Sequence, residues 1–185
     1  MTDYREQQRT RADIDALKLK AGSTVWLMRS GASLANDASE TAAFSKTLWG
    51  GTLSTGNGLF IEHHVTYVNN SGVNRNFSVR VKYGATTFFT STITYPTSAV
   101  ARIQTWRLYL MGNGATNSQF LSVEQYSANN VMDGFAGVFS LAEYSSAEDS
   151  STDLAVSITW QHSAAAGTIT ASERLTLAHF VGAVS

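Results

Sequence analysis

The chain contains no cysteine, so it has no disulfide framework, no thiolate metal site and no cysteine nucleophile. Its one proline, Pro96, stands between two strand-like segments, where a missing N–H harms no ladder. No stretch nears the eighteen or so apolar residues of a membrane-spanning helix. The first twenty residues are charged and lack the apolar centre of a secretory signal. A soluble chain with no membrane partner is therefore the expectation. An excess of one charge is missing too: 13 Lys and Arg face 14 Asp and Glu, a formal net charge of -1. That balance offers no basic footprint for a nucleic-acid backbone.

What remains is enough for one proper core. The 185 residues are 43% hydrophobic and 11% aromatic, ordinary values for a folded domain. Charge is placed unevenly. Residues 1–20 hold Arg5, Arg9, Arg11, Lys18 and Lys20 against Asp3, Glu6, Asp13 and Asp15, a third of all charges in about a ninth of the chain. The remainder is rich in Ser, Thr, Gly and Asn and poor in charge, as interface centres are. Two regions follow: a charged arm over residues 1–21 and a β-domain over residues 22–185. Asp3 followed by Glu6 gives a start like a capping box, and Ile14, Leu17 and Leu19 form a thin apolar stripe, so the arm is read as a short helix ended by Gly22.

Beyond the arm the period becomes two. Leu59, Ile61, Val65 and Tyr67 alternate with Glu62, His64 and Thr66, and Phe77, Val79, Val81 and Tyr83 alternate with Ser78, Arg80 and Lys82. Trp106, Leu108 and Leu110 share one face of a strand whose other face carries Tyr109 and Met111. Such a strand is buried on both faces, or buried on one and held in an interface on the other. Val156, Ile158 and Trp160 alternate with Ser157, Thr159 and Gln161, and Ile169, Ala171, Leu175 and Leu177 alternate with Thr170, Arg174 and Thr176. Shorter candidates lie at 24–29, 44–49, 86–92, 119–125 and 135–144, with turns at Asn69-Asn70-Ser71-Gly72, Tyr83-Gly84, Gly112-Asn113-Gly114, Asn129-Asn130 and Ala166-Gly167. About nine or ten strands at this spacing predict an all-β fold, an antiparallel β-sandwich or jelly roll. Residues 145–153, acidic and serine-rich, read as an exposed loop.

No residue set in the sequence is nominated as catalytic, cofactor-binding or metal-binding. His63 and His64 are neighbours on a strand, so they point to opposite faces and cannot converge on one ion. His63 shares its face with Ile61 and Val65 and reads as a core or interface histidine. His162 and His179 would be neighbours if the last two strands formed a hairpin about Gly167, yet no third ligand is in sight. Serines are many, but no Gly-x-Ser-x-Gly elbow occurs. Glu62, Glu124, Asp133, Glu143 and Glu173 are scattered singly, which names no acid pair for glycoside hydrolysis. Gly112-x-Gly114 lacks the helix and lysine of a phosphate loop, and residues 149–153 are too poor in spaced acids for a calcium loop. Arg80, Lys82 and Tyr83 form a small cationic strand face. Trp106 and Trp160 are read as core, whereas Trp26, Trp49, Tyr95 and Tyr126 are freer to serve as sugar platforms.

The run Gly58-Leu-Phe-Ile-Glu, then Tyr67-Val-Asn-Asn-Ser-Gly, then Asn76-Phe-Ser-Val-Arg-Val-Lys-Tyr-Gly-Ala-Thr-Thr-Phe opens a longer pattern. Trp106-Arg-Leu-Tyr-Leu and Ile158-Thr-Trp-Gln-His-Ser-Ala-Ala-Ala-Gly-Thr-Ile-Thr complete it. From Gly58 to the C terminus the order of these segments resembles a β-domain recurrent in structural proteins of tailed bacteriophages. The resemblance implies a virion component, assembled in the host bacterial cytoplasm: a capsid decoration (cement) protein or a short tail or fibre component. It also implies a homotrimer whose partners are itself and the major capsid or tail proteins, with no enzyme activity and no cofactor. A receptor- or carbohydrate-binding tip module is the alternative.

Overall fold

The computed structural model describes residues 24–28, 31–53, 56–127, 138–166 and 168–182. The helix expected over the arm lies outside the described residues. Eleven strands follow in order: β1 (Thr24–Met28), β2 (Ser33–Ala35), β3 (Thr41–Leu48), β4 (Asn57–Asn69), β5 (Arg75–Tyr83), β6 (Thr86–Tyr95), β7 (Ser98–Gly112), β8 (Gln119–Ser127), β9 (Val138–Ser146), β10 (Leu154–His162) and β11 (Ile169–Gly182). No helix occurs among the described residues. Ten of these strands fall where the alternation predicts them. The eleventh, β2, is three residues long with one buried side chain, Leu34, too short for a period to register.

All pairing is antiparallel. A larger sheet runs β1-β11-β4-β7-β8-β9, with β2 continuing the β1 edge beside β11, and a smaller sheet runs β3-β10-β5-β6. The partners nest: β1 and β2 with β11, β3 with β10, β4 with β7, β5 with β6. The chain is thus a long hairpin rolled up into two facing sheets, the strand order of a jelly roll, with β8–β9 added to the edge of the larger sheet. The core lies between the sheets. Leu59, Ile61, Val65, Trp106, Leu108 and Leu110 face Phe77, Val79, Val81, Val156, Ile158 and Trp160, all buried.

The hairpin of the last two strands does not exist, because β10 lies in the smaller sheet and β11 in the larger. The connection crosses from one layer to the other, so His162 faces the core while His179 points outward. In β11 the single alternation also fails. Glu173 pairs with Val65 but Leu175 with His64, so Arg174 is an extra, bulged residue that shifts the side chains by one. Thr176, Ala178 and Phe180 therefore turn inward, and Leu175, Leu177 and His179 turn out.

The 145–153 stretch is mostly exposed, as expected, and is tied down at a few points. Asp149 Oδ1 accepts from the Ser151 backbone N–H at 3.0 Å and its hydroxyl at 2.6 Å, and these bonds hold its carboxyl below the usual range. Ser150 is buried and donates to the Thr116 carbonyl at 2.8 Å, tying the loop to the β7–β8 turn. Glu148 accepts from Thr86 at 2.6 Å, tying it to the β5–β6 turn. Gly50 packs so closely that a Cβ there would stand 2.0 Å from the Ser151 carbonyl oxygen.

Candidate assembly face

The bulge has a chemical consequence inside the sandwich. It brings Glu173 and Thr176 of β11 beside His63 of β4, all three buried. The Trp160 indole N–H, which can only donate, points to His63 Nε2 at 3.2 Å. Neutral His63 therefore carries its proton on Nδ1 and donates it to Thr176 Oγ1 at 2.6 Å. Thr176 in turn donates to Glu173 Oε1, and Glu173 Oε2 accepts the backbone N–H groups of Gly31 at 3.1 Å and Ala32 at 2.9 Å. Glu173 thus clasps the break between β1 and β2, where its own N–H also bonds the Ala32 carbonyl at 2.9 Å. Burial pushes the His63 pKa down to about 3, with His64 adding to the effect. His63 Nδ1 and Glu173 Oε1 lie 3.9 Å apart, but a neutral imidazole makes this no ion pair.

Hydroxyl, imidazole and carboxylate together invite comparison with a hydrolase triad. The order here differs: the hydroxyl stands between imidazole and carboxylate and gives its proton to the carboxylate, where a triad needs the imidazole in the middle. All three are also shut off from solvent. This is a structural lock. Sequence reading placed His63 correctly on the inner face, but treated Glu173 as a lone acid.

The remaining candidates disperse. His64, on the outer face, bonds Glu62 at 2.7 Å and Thr105 at 3.1 Å. His162 meets the Leu34 carbonyl at 3.3 Å and is held below the ordinary histidine range by burial. Tyr83 does not share the cationic face with Arg80 and Lys82; it lies on the opposite, inner side and is buried. Tyr95 is no free platform either, being buried with its ring 4.3 Å from that of Tyr67. Burial drives both phenols upward, Tyr67 to about 12. Trp26 leans inward on Phe44, and Trp106 and Trp160 are core as read. Trp49 is half-buried, and the side chain of Tyr126 lies outside the described set, as does Asp133. Among the described residues no three acids or histidines form a metal-sized cluster.

The two outer surfaces differ sharply. The outward side of the smaller sheet is made of Ser, Thr, Asn, Gln and Ala with Arg80 and Lys82, and its polar groups bond one another. Glu40 holds Arg80 at 3.4 Å, pairs with Lys82, and accepts from Thr159 at 2.6 Å. Those partners, Lys82 first, keep its carboxyl below the usual range. Arg80 also donates to Gln161 at 2.9 Å, and Thr94 to Asn76 at 2.7 Å. Large apolar side chains are missing from this side among the described residues.

The outward side of the larger sheet carries them in three successive rows. Val181, Gly58, Met111 and Phe120 form one, His179, Phe60 and Tyr109 the next, and Leu27 and Leu177 lead the third, ahead of Glu62, Arg107 and Glu124. Met111 is 36% and Leu27 52% exposed. The Phe60 ring lies between those of Tyr109 at 4.7 Å and His179 at 4.8 Å, tilted to both. Gly58 lets the band close: a Cβ there would sit 2.7 Å from the Leu110 carbonyl and 3.0 Å from Met111 Cγ. The sequence showed this face only in β7, because the bulge in β11 hid the outward turn of Leu175 and Leu177.

No protein-family model matches the chain, and no curated protein matches it. Among solved structures it is similar to the CBM2 module of the evolved Dit of Lactobacillus casei BL23 phage J-1. Identity there is 7% and the TM-score 0.39, over 76% of this chain and 70% of that one. It is also similar to a chain in the structure of infectious bursal disease virus, Gx strain, at 9% identity and a TM-score of 0.32. That match covers 85% of this chain and 42% of the other, so this chain spans under half of its length.

Proposed function

We propose that this chain is a structural protein of a bacteriophage virion, a capsid decoration (cement) protein or a short tail or fibre component. It acts by packing against copies of itself and other virion proteins, with residues 1–21 exchanged between subunits, and performs no chemistry. The observation that carries the assembly reading is the contrast between the two outer surfaces. One is polar and internally hydrogen-bonded, as a solvent face is, while the other bears Leu27, Phe60, Tyr109, Met111, Phe120 and Leu177 in a contiguous band. Leu27 and Met111 are exposed there, and contiguous apolar surface of this kind favours contact with another surface. The virion reading is supported by the sequence resemblance to phage structural β-domains.

Light scattering on the purified chain tests assembly: a homotrimer is expected, and a monomer at every concentration overturns the reading. Tyr109→Lys with Met111→Lys should abolish association while leaving the circular dichroism spectrum unchanged. Density for the chain in cryo-electron maps of the particle tests the virion assignment, and its absence from purified particles refutes it.

One observation favours the binding-module alternative. A shallow cleft of about 500 Å³, lined by Phe88, Phe120, Glu143, Tyr144 and Ser145, opens at the β8–β9 edge and combines aromatic faces with a carboxylate. Glycan-array binding lost in Tyr144→Ala would establish it.

A further inference from the structure

Two Asn-Gly steps occur in the chain, Asn57-Gly58 and Asn113-Gly114. Glycine has no side chain to shield its own nitrogen, so the asparagine carboxamide before it is open to attack by that nitrogen. The reaction is intramolecular. The glycine nitrogen, its proton given up to hydroxide, bonds to asparagine Cγ as the Cγ–Nδ2 bond breaks and ammonia leaves. Water then opens the five-membered imide. Cleavage at Cγ gives aspartate, and cleavage at the main-chain carbonyl gives isoaspartate, in which the chain runs through Cβ. Which steps react is decided by whether the backbone can turn to bring nitrogen and Cγ together.

The fold treats the two steps oppositely. Asn57 and Gly58 begin β4, and Gly58 is buried, with Val181 of β11 on one side and Met111 of β7 on the other. Closing the imide takes the chain out of the extended form at Asn57, which breaks both ladders. The Asn57 carboxamide is confined as well, since a Cβ on Gly182 would stand 2.4 Å from its Oδ1.

Asn113 and Gly114 lie past the end of β7, in the turn of residues 113–118, and both are exposed. Gly114 has a φ of +86°, and a Cβ there would meet nothing within 4 Å. Its N–H has no acceptor among the described residues, so its proton is open to solvent base. The Asn113 N–H donates to the Ser118 carbonyl at 2.9 Å, and its Nδ2 to Ser118 Oγ at 3.2 Å. That second bond is the carboxamide's tether, and water exchanges readily for a bond between exposed groups.

We infer that Asn113 is a spontaneous modification site, converted to aspartate and isoaspartate in the folded protein while Asn57 is spared. The change has a defined place and sign. It adds one negative charge to a chain of formal net charge -1, at the turn joining the paired residues Met111 and Phe120. The isoaspartate form also lengthens the backbone where Asn113 and Ser118 close that turn.

The test incubates the native full chain at mildly alkaline pH and samples it over time. Ion exchange separates the acidic species, and peptide mass spectrometry locates the change and distinguishes isoaspartate by fragmentation. Asn113 should convert at least about tenfold faster than Asn57. In urea the two should convert at similar rates, because the ladders that protect Asn57 are gone. No conversion at Asn113, or equal rates at both positions in the native chain, overturns the inference. An Asn57 as slow in urea as in the native chain overturns it too, since the fold would then not be what spares it. Asn113→Gln closes only a larger ring, far more slowly, so the acidic species should be suppressed; their appearance at an unchanged rate places the chemistry elsewhere and sinks the assignment.

Discussion

Lowering the pH from 7 to 5 should cost the fold about 2 kcal/mol through one side chain, His63. Its imidazole is fully buried, accepts from Trp160 and donates to Thr176, an arrangement that fits only the neutral ring. Burial holds its pKa at about 3 in the folded state, against an ordinary value near 6.5 in the unfolded chain. Between these values the unfolded chain binds a proton that the folded one refuses, so stability falls as pH falls below about 6.5. Each full pH unit in that window is worth about 1.36 kcal/mol, and the onset near 6.5 brings the total from pH 7 to pH 5 to about 2 kcal/mol. His162, also lowered by burial, acts in the same direction. The lowered carboxyls of Asp37, Glu40 and Asp149 lend stability that is lost only at lower pH, which is why the window stops at 5. Urea unfolding of the wild type and of His63→Gln at both pH values isolates the effect. Glutamine keeps an acceptor for Trp160 and does not titrate, so the variant should be weaker at pH 7 yet lose about 2 kcal/mol less on acidification. Equal acid losses in the two proteins would refute the reasoning. So would an NMR titration in which the His63 ring gains its second proton above pH 5.

Removing the clasp in Glu173→Ala leaves the N–H groups of Gly31 and Ala32 and the Thr176 hydroxyl without their acceptor; a loss of about 3 kcal/mol or more is expected by denaturant titration, and less than about 1 kcal/mol contradicts the network. Gly50→Ala drives a methyl onto the Ser151 carbonyl, whereas Gly72→Ala meets open space and bears only its backbone φ of +82°. The first should therefore melt well below the second, whose cost is about 1–2 kcal/mol; equal melting temperatures would show that the loop gives way. Glu40→Gln touches only a half-exposed charge cluster, so its cost should stay within about 1 kcal/mol and shrink in high salt.

The strands were legible in the sequence because each has one face against the core, and period two is the direct record of that. Trp106, Leu108 and Leu110 in β7 and Val156, Ile158 and Trp160 in β10 point inward as their alternation says. Sheet membership was not legible, since β10 and β11 have equally good patterns and only the pairing puts them in different layers. The bulge at Arg174 inverted the outer half of β11, and with it went Leu175, Leu177 and Thr176. The His63–Thr176–Glu173 lock needed that bulge and the β4–β11 register, neither of which spacing records. One signal was present: Glu173 keeps the parity of Ile169 and Ala171, which marks an acid pointing into the core and in want of a partner. Sugar platforms were misjudged at Tyr95 because a residue beside a proline looks like loop, while here it ends β6 on the core side.

The nested pairing bears on how the molecule is made. Strand β11 is flanked by β1 and β2 on one side and by β4 on the other, so the larger sheet stays split until residues 169–182 have followed the ten strands before them. Contacts so distant in sequence form slowly. During that delay β1, β2 and the near side of β4 are open edges, free to accept a final strand from whichever chain offers one. At high local concentration during synthesis, a neighbour's β11 competes with the chain's own. Refolding yield should therefore fall as protein concentration rises, with entangled dimers as the side product.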